Sequence, residues 1–197
     1  MLFEETFSFP ASIILMVSII AILFSWRLYS FIRIPKSLYS LPSVIVLGPR
    51  TSGKTTLVKE LAPNINFSFS HATKKLGYSI YSDGKKKVQF VDPEKFSLGK
   101  LNRENVEEFK KLNYKSLIYL FNISPGSEPI EKQIRGFKKT MRLFGRVNLI
   151  PVATKLDRED KRKLKKLKQM VKNIRKISLH RKDGLVSLRN SVFASIE

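Results

Sequence analysis

The sequence predicts an α/β protein: a doubly wound, six-stranded sheet preceded by one apolar helix long enough to span a membrane. Three observations carry that expectation. Short apolar runs alternate with helix-period segments from Val44 to the C-terminus. The first run leads into a glycine-bounded loop, Gly48-Pro49-Arg50-Thr51-Ser52-Gly53-Lys54-Thr55, which fits G-x-x-x-x-G-K-[ST]. Finally, the 21 residues from Thr6 to Trp26 contain no charge.

At 197 residues and 43% apolar composition, the chain has room for one core and a short appendage. It has no cysteine, which excludes disulfides, thiolate metal sites and cysteine nucleophiles together. With His71 and His180 as the sole imidazoles, a histidine-rich metal site is excluded too. The formal net charge of +21 draws polyanions such as RNA or an anionic lipid surface.

The charge-free segment, at about 1.5 Å per helical residue, matches a hydrocarbon core of roughly 30 Å. It begins after Glu4 and Glu5 and ends in Trp26-Arg27, without the basic start and small-residue cleavage site of a signal peptide. A retained anchor is expected. Arg27, Arg33 and Lys36 follow it closely, so the N-terminus should face outward and residues 27–197 the cytosol. The expected layout is a tail over 1–5, a transmembrane helix over 6–28, a basic linker over 29–42 and a nucleotide-binding domain over 43–197. An endoplasmic reticulum membrane and a prokaryotic cell membrane fit this equally.

Val44-Ile45-Val46-Leu47 reads as a strand buried on both faces of a parallel sheet. In the loop that follows, Gly48 and Gly53 let backbone N–H groups wrap a phosphate. Residues 48–55 and Thr56 are the expected phosphate-binding set. Lys54 would reach the terminal phosphates and Thr55 would ligate Mg²⁺, with the positive end of a helix aimed at the anion. Leu76–Tyr81 and Lys87–Val91 alternate on either side of Ser82-Asp83-Gly84, a hairpin signal. The second run ends in Asp92, placed for a metal-directed carboxylate. Thr73 lies 18 residues after Thr55 and 19 before Asp92. Those intervals are similar to the switch threonine and aspartate of Ras-like and Arf-like GTPases, which makes Thr55, Thr73 and Asp92 the expected metal set.

Further on, a strand over Asn148–Ala153 delivers Thr154-Lys155-Leu156-Asp157, which resembles the N/T-K-x-D guanine-reading motif. A carboxylate there accepts two hydrogen bonds from the guanine N1 and N2 edge, which adenine lacks. Ser178-Leu179-His180 occupies the place of the loop that touches guanine O6 by backbone amide; His180 itself reads as an ordinary loop residue. The expected guanine set is Thr154, Lys155, Asp157, Ser178 and Leu179, and no catalytic residue is assigned. Ile130, Ile134, Phe137, Met141 and Phe144 form one helical stripe, and Leu185, Leu188, Val192 and Ile196 another. Between Arg158 and Lys176 ten basic residues accompany two acids, with Leu164, Leu167, Val171 and Ile174 as an apolar stripe. This basic helix suits lipid headgroups or ribosomal RNA, without the arginine–aromatic interleaving of sequence-specific nucleic-acid readout.

An outward N-terminus, a basic linker and "GPRTSGKTTL" together resemble the β-subunit family of the signal recognition particle receptor. The resemblance implies a Ras-like P-loop fold with GTP and Mg²⁺. It also implies recruitment of a receptor α-type GTPase subunit, and the ribosome and the protein-conducting channel as neighbours. Three departures bear on hydrolysis. The D-x-x-G glycine is Lys95, the next residue is Phe96, and Arg50 stands where many small GTPases carry glycine. Hydrolysis is therefore expected to be slow, absent or dependent on a partner. The alternative is a nucleotide-independent tether that keeps the fold and works through its basic surface.

Overall fold

The computed structural model describes residues 11–32, 40–62, 77–82, 87–93, 103–145 and 147–196. The chain divides into two compact units. The first holds helix α1, Ala11–Ile32, 22 residues with no acidic residue in the first turn. At 1.5 Å per residue its backbone is about 33 Å long. Its described side chains, Ile13 and residues 15–24, are all exposed, with Phe24 at 68% and Ile22 at 67%. Counting only such described positions, no helix is long and apolar enough to cross a membrane.

The second unit is a sheet in the order β2-β3-β1-β4-β5-β6. Its strands are β1 (Ser43–Leu47), β2 (Gly77–Ser82), β3 (Lys87–Asp92), β4 (Tyr114–Asn122), β5 (Asn148–Thr154) and β6 (Arg175–Lys176). Five strands carry the sheet, and β6 adds two residues at its edge. Pro151 removes one donor from β5, and β6 pairs only beyond it, at Val152 and Ala153. All neighbours run parallel except β2 and β3, which form the expected antiparallel hairpin. Its turn lies outside the described residues.

Helices α2 (Lys54–Leu61), α3 (Arg103–Lys110), α4 (Ile130–Phe144), α5 (Lys161–Met170) and α6 (Leu185–Ala194) connect and cover the strands. Burial on both faces explains the unbroken apolar strands: Val44 and Val46 meet Leu57, Leu61, Leu188 and Val192 in one core cluster. The opposite layer holds Tyr119, Phe121 and Phe137, with ring centroids 4.8 to 5.4 Å apart. Helix α3 shows little periodicity in the sequence, because Val106 and Phe109 are its only apolar residues. Both are buried, and Phe109 packs 5.9 Å from Phe144. Burial of such a ring stabilises by about 2 kcal/mol.

Two expected stripes are corrected. On α4 the buried positions are Ile130, Gln133, Ile134, Phe137, Thr140 and Phe144, whereas Met141 is 50% exposed. The expected long basic helix stops at Met170: Val171 is extended at φ −129, and Asn173 takes a left-handed turn at φ 55. Asp160 starts this helix by accepting from the backbone N–H of Arg162 and Lys163 at 2.9 and 3.2 Å.

Within that basic run one cation is structural. The Lys163 ammonium donates to the carbonyls of Ser124, Pro125 and Ser127 and to the Ser127 hydroxyl, at 2.8 to 3.1 Å. It closes the loop between β4 and α4. Lys163→Met should cost about 2 kcal/mol in chemical denaturation, whereas Lys165→Met, at an exposed position, should stay within roughly 0.5 kcal/mol. Equal effects would show that the loop does not depend on this ammonium.

Candidate nucleotide-binding site

The loop from Gly48 to Gly53 leaves the end of β1 and opens into α2. Gly48 sits where the chain passes against β4: a Cβ there would lie 2.8 Å from the Leu120 carbonyl oxygen. Gly53 has φ +87, and its Cβ would lie 2.7 Å from the Leu179 Cδ1. Gly48 is therefore demanded by space against a backbone atom, and Gly53 by its left-handed backbone conformation, since the Leu179 side chain could move aside. Thr51 also lies in the left-handed region, at φ 64, a strained choice for a β-branched residue. Arg50 and Thr56 are exposed, while Pro49 and Ser52 are buried.

The Lys54 ammonium lies over the loop and donates to the carbonyls of Pro49 at 3.0 Å and Gly48 at 3.4 Å. The Thr55 hydroxyl donates to Asp92 Oδ2 at 2.5 Å, and Asp92 is 4% exposed. Two hard oxygen donors, 37 positions apart in sequence, thus meet at the start of α2. Among the described residues no group of three metal-binding side chains occurs. That set fits Mg²⁺, which takes one or two protein oxygens and fills its octahedron with water and phosphate. Thr55 and Asp92 would hold it. Thr73 lies outside the described residues.

The second loop is tied to the first. Thr154 is fully buried, and its hydroxyl lies 2.9 Å from the Ser52 carbonyl and 3.2 Å from the Phe121 carbonyl. Thr154, a member of the expected guanine set, thereby ties its segment to the phosphate loop. Lys155 follows at φ 67, a left-handed turn that starts the short 3₁₀ segment Leu156–Arg158. Asp157 retains partial exposure, with the Ser178 hydroxyl 3.5 Å from Oδ1 and Arg158 Nε 3.7 Å from Oδ2. Ser178 is buried and pairs with Asp183, while Leu179 packs on the core beside Gly53. The expected phosphate, metal and base residues that are described therefore lie beyond the carboxyl ends of β1, β3, β5 and β6, where doubly wound sheets bind ligands.

Asn122 and Gln133 complete this arrangement and were not anticipated. Asn122 ends β4, and its side-chain amide donates to the Thr51 carbonyl at 3.2 Å. The buried Gln133 of α4 accepts from the Asn122 backbone N–H at 2.9 Å and donates to the Asn122 carbonyl at 3.0 Å. Tyr119 donates to the Gln133 carbonyl at 2.9 Å, and burial raises its phenol pKa, which keeps it a donor. The strained Thr51 is thereby held from α4 through β4. A polar Gln within an otherwise apolar helical stripe was the signal that could have found this network.

No family model and no curated protein matches the sequence. Among solved structures, the chain is similar to nucleolar GTP-binding protein 1 from Plasmodium falciparum. That likeness has a TM-score of 0.61 and 16% identity, over 80% of this chain and 87% of that one. It is also similar to the G domain of the T. maritima FeoB iron transporter, with a TM-score of 0.56 and 17% identity, over 80% of this chain and 99% of that one. At such identities the likeness speaks of architecture alone. The chain shares the α/β fold of these two structures, with its glycine-bounded loop between β1 and α2.

Proposed function

We propose that this protein binds GTP with Mg²⁺ and serves, from a membrane, as a docking subunit of the kind found in the signal recognition particle receptor. The observation that carries the nucleotide reading is the convergence of three loops. Thr55 meets Asp92, and Thr154 ties the phosphate loop to the segment bearing Asp157. Backbone N–H groups of residues 48–55, with the Lys54 ammonium, bind and orient the phosphates. Asp157 accepts from the guanine edge, the Lys155 stem lies over the base, and Ser178 and Leu179 border it. The neighbours found by structure are named as GTP-binding protein and G domain, in keeping with that ligand.

The anchoring part of the proposal rests on α1, a helix of 22 residues whose described side chains are exposed and mostly apolar, and on the basic residues at 27, 33 and 36. A single pass with the N-terminus outside follows, in the endoplasmic reticulum or a prokaryotic cell membrane. The partner would be a receptor α-type GTPase subunit, with the ribosome and the protein-conducting channel nearby. Lys95, Phe96 and Arg50 replace groups that position water or approach the γ-phosphate, so the bound triphosphate acts as a lasting platform and hydrolysis is slow or prompted by the partner.

The test is calorimetry on the full-length chain in lipid nanodiscs, with magnesium present. GTP should bind at least roughly a hundredfold more tightly than ATP, and nucleotide retained through purification should be guanosine triphosphate. Equal indifference to both would defeat the nucleotide reading and favour the nucleotide-independent tether.

A further inference from the structure

The outward faces of α4 and α5 present cations with few acids between them. Arg135, Lys138, Lys139 and Arg142 of α4 and Arg162 and Lys165 of α5 are all exposed. None of the six forms an ion pair among the described residues, in contrast to Lys132 and Lys166, which bridge to Glu128 and Glu131. The Lys166–Glu131 bridge joins the two helices, which connect β4 to β5 and β5 to β6. Right-handed crossovers put both on the same side of the sheet. The result is a broad basic surface rather than a single charged ridge.

Such a surface is costly by itself. Arg135 and Lys139, and likewise Lys138 and Arg142, are like charges one helical turn apart, which destabilises a free helix. Exposed helices of soluble domains usually intersperse both signs. Outside α1, the described large apolar side chains left exposed are Met141, Met170 and Val186. Two of these three stand on α4 and α5: Met141 emerges between Lys138 and Arg142, and Met170 lies one turn beyond Lys166. Cations around a protruding flexible apolar side chain match the lipid interface, where charge meets headgroups and the thioether enters the acyl boundary. A nucleic-acid surface would want aromatic rings for stacking, and no large aromatic is exposed among the described residues of this unit.

We propose that the α4–α5 face docks on an anionic bilayer, so that the domain lies against the membrane through this face. The inference rests on the anchored reading above and adds to it a defined contact surface. Each basic residue near a negative leaflet contributes about a fivefold factor to the docked population, and high salt weakens it.

The chain has no cysteine, so the Met141→Cys variant of the full-length protein can carry one environment-sensitive fluorophore. It is reconstituted in nanodiscs of phosphatidylcholine alone or with phosphatidylserine. A blue shift and quenching by lipid-borne quenchers in the serine-lipid discs only, reversed by salt, is the expected result. Changing Arg135, Lys138, Lys139 and Arg142 together to Gln should abolish that signal, a loss of roughly several hundredfold in docked population, with GTP affinity unchanged and thermal stability equal or slightly higher, because the like-charge repulsion is relieved. The same spectrum in both lipids, on a chain that still co-elutes with the discs, would overturn the docking face and leave the anchor intact. A chain that fails to enter discs would instead overturn the anchor. Flotation of that chain with phosphatidylserine vesicles then decides the face: a lipid-dependent shift upholds it, and none overturns it. A shift produced by duplex or single-stranded RNA and not by phosphatidylserine would also overturn it.

Discussion

Asp157→Asn should lower GTP affinity by roughly a hundredfold or more and raise affinity for xanthosine triphosphate. The carboxylate presents two acceptors in a partly exposed position, with the Ser178 hydroxyl 3.5 Å from one oxygen. Guanine offers two donors, N1–H and the exocyclic amine, and both are satisfied only by two acceptors. An amide replaces one acceptor with a donor, so one guanine hydrogen is left without a partner, a loss comparable to a buried unsatisfied group. Xanthine carries a carbonyl at that position and restores the match. Competition calorimetry with the three triphosphates measures this directly. An unchanged order of preference would remove Asp157 from the base site and, with it, the functional reading of the T-K-x-D segment.

The second large effect concerns the fold. Gly184→Ala is expected to destabilise the protein by about 3 kcal/mol and to lower the melting temperature by roughly 6–12 °C. Gly184 holds φ +76, and a Cβ there would lie 2.4 Å from the backbone carbonyl oxygen of Lys176. A backbone atom cannot rotate away as a side chain can. The damage spreads because Gly184 caps α6 and accepts from the Leu188 N–H at 3.0 Å. Leu185, Leu188 and Val192 of that helix belong to the core that includes Leu57 and Leu61 of α2. The adjoining Ser178–Asp183 bridge shapes the loop beside Asp157, so base binding should weaken as well. Thermal unfolding followed by circular dichroism is the check; a shift under about 2 °C would mean the turn relaxes without cost.

The two positions illustrate different degrees of legibility. Asp157 could be named in advance because its chemistry is written in a contiguous motif delivered by an apolar strand. Gly184 could be read only as a turn residue, since its need for glycine comes from Lys176, eight positions earlier and across a loop. The same contrast separates Thr55 and Asp92 from Asn122 and Gln133. The first pair follows from a loop motif and a strand end; the second depends on where α4 settles against β4. It also separates Lys163 from the lysines around it. Nothing in a run of basic residues singles out the ammonium that meets four oxygens.

Local chemistry alone determined much of this protein. The alternation of apolar runs and periodic segments dictated a doubly wound sheet, and the glycines of residues 48–53 dictated a phosphate-sized loop, because both effects act over a few neighbouring residues. Tertiary structure decided the rest. It tied Thr154 to the Ser52 carbonyl, exposed Met141 and cut the basic helix at Met170. It also brought Asn122 within 3.2 Å of a loop 71 positions away in sequence. Those outcomes hang on hydrogen bonds to backbone carbonyls and on which helix flank a neighbour covers, and neither leaves a periodic trace in the order of residues.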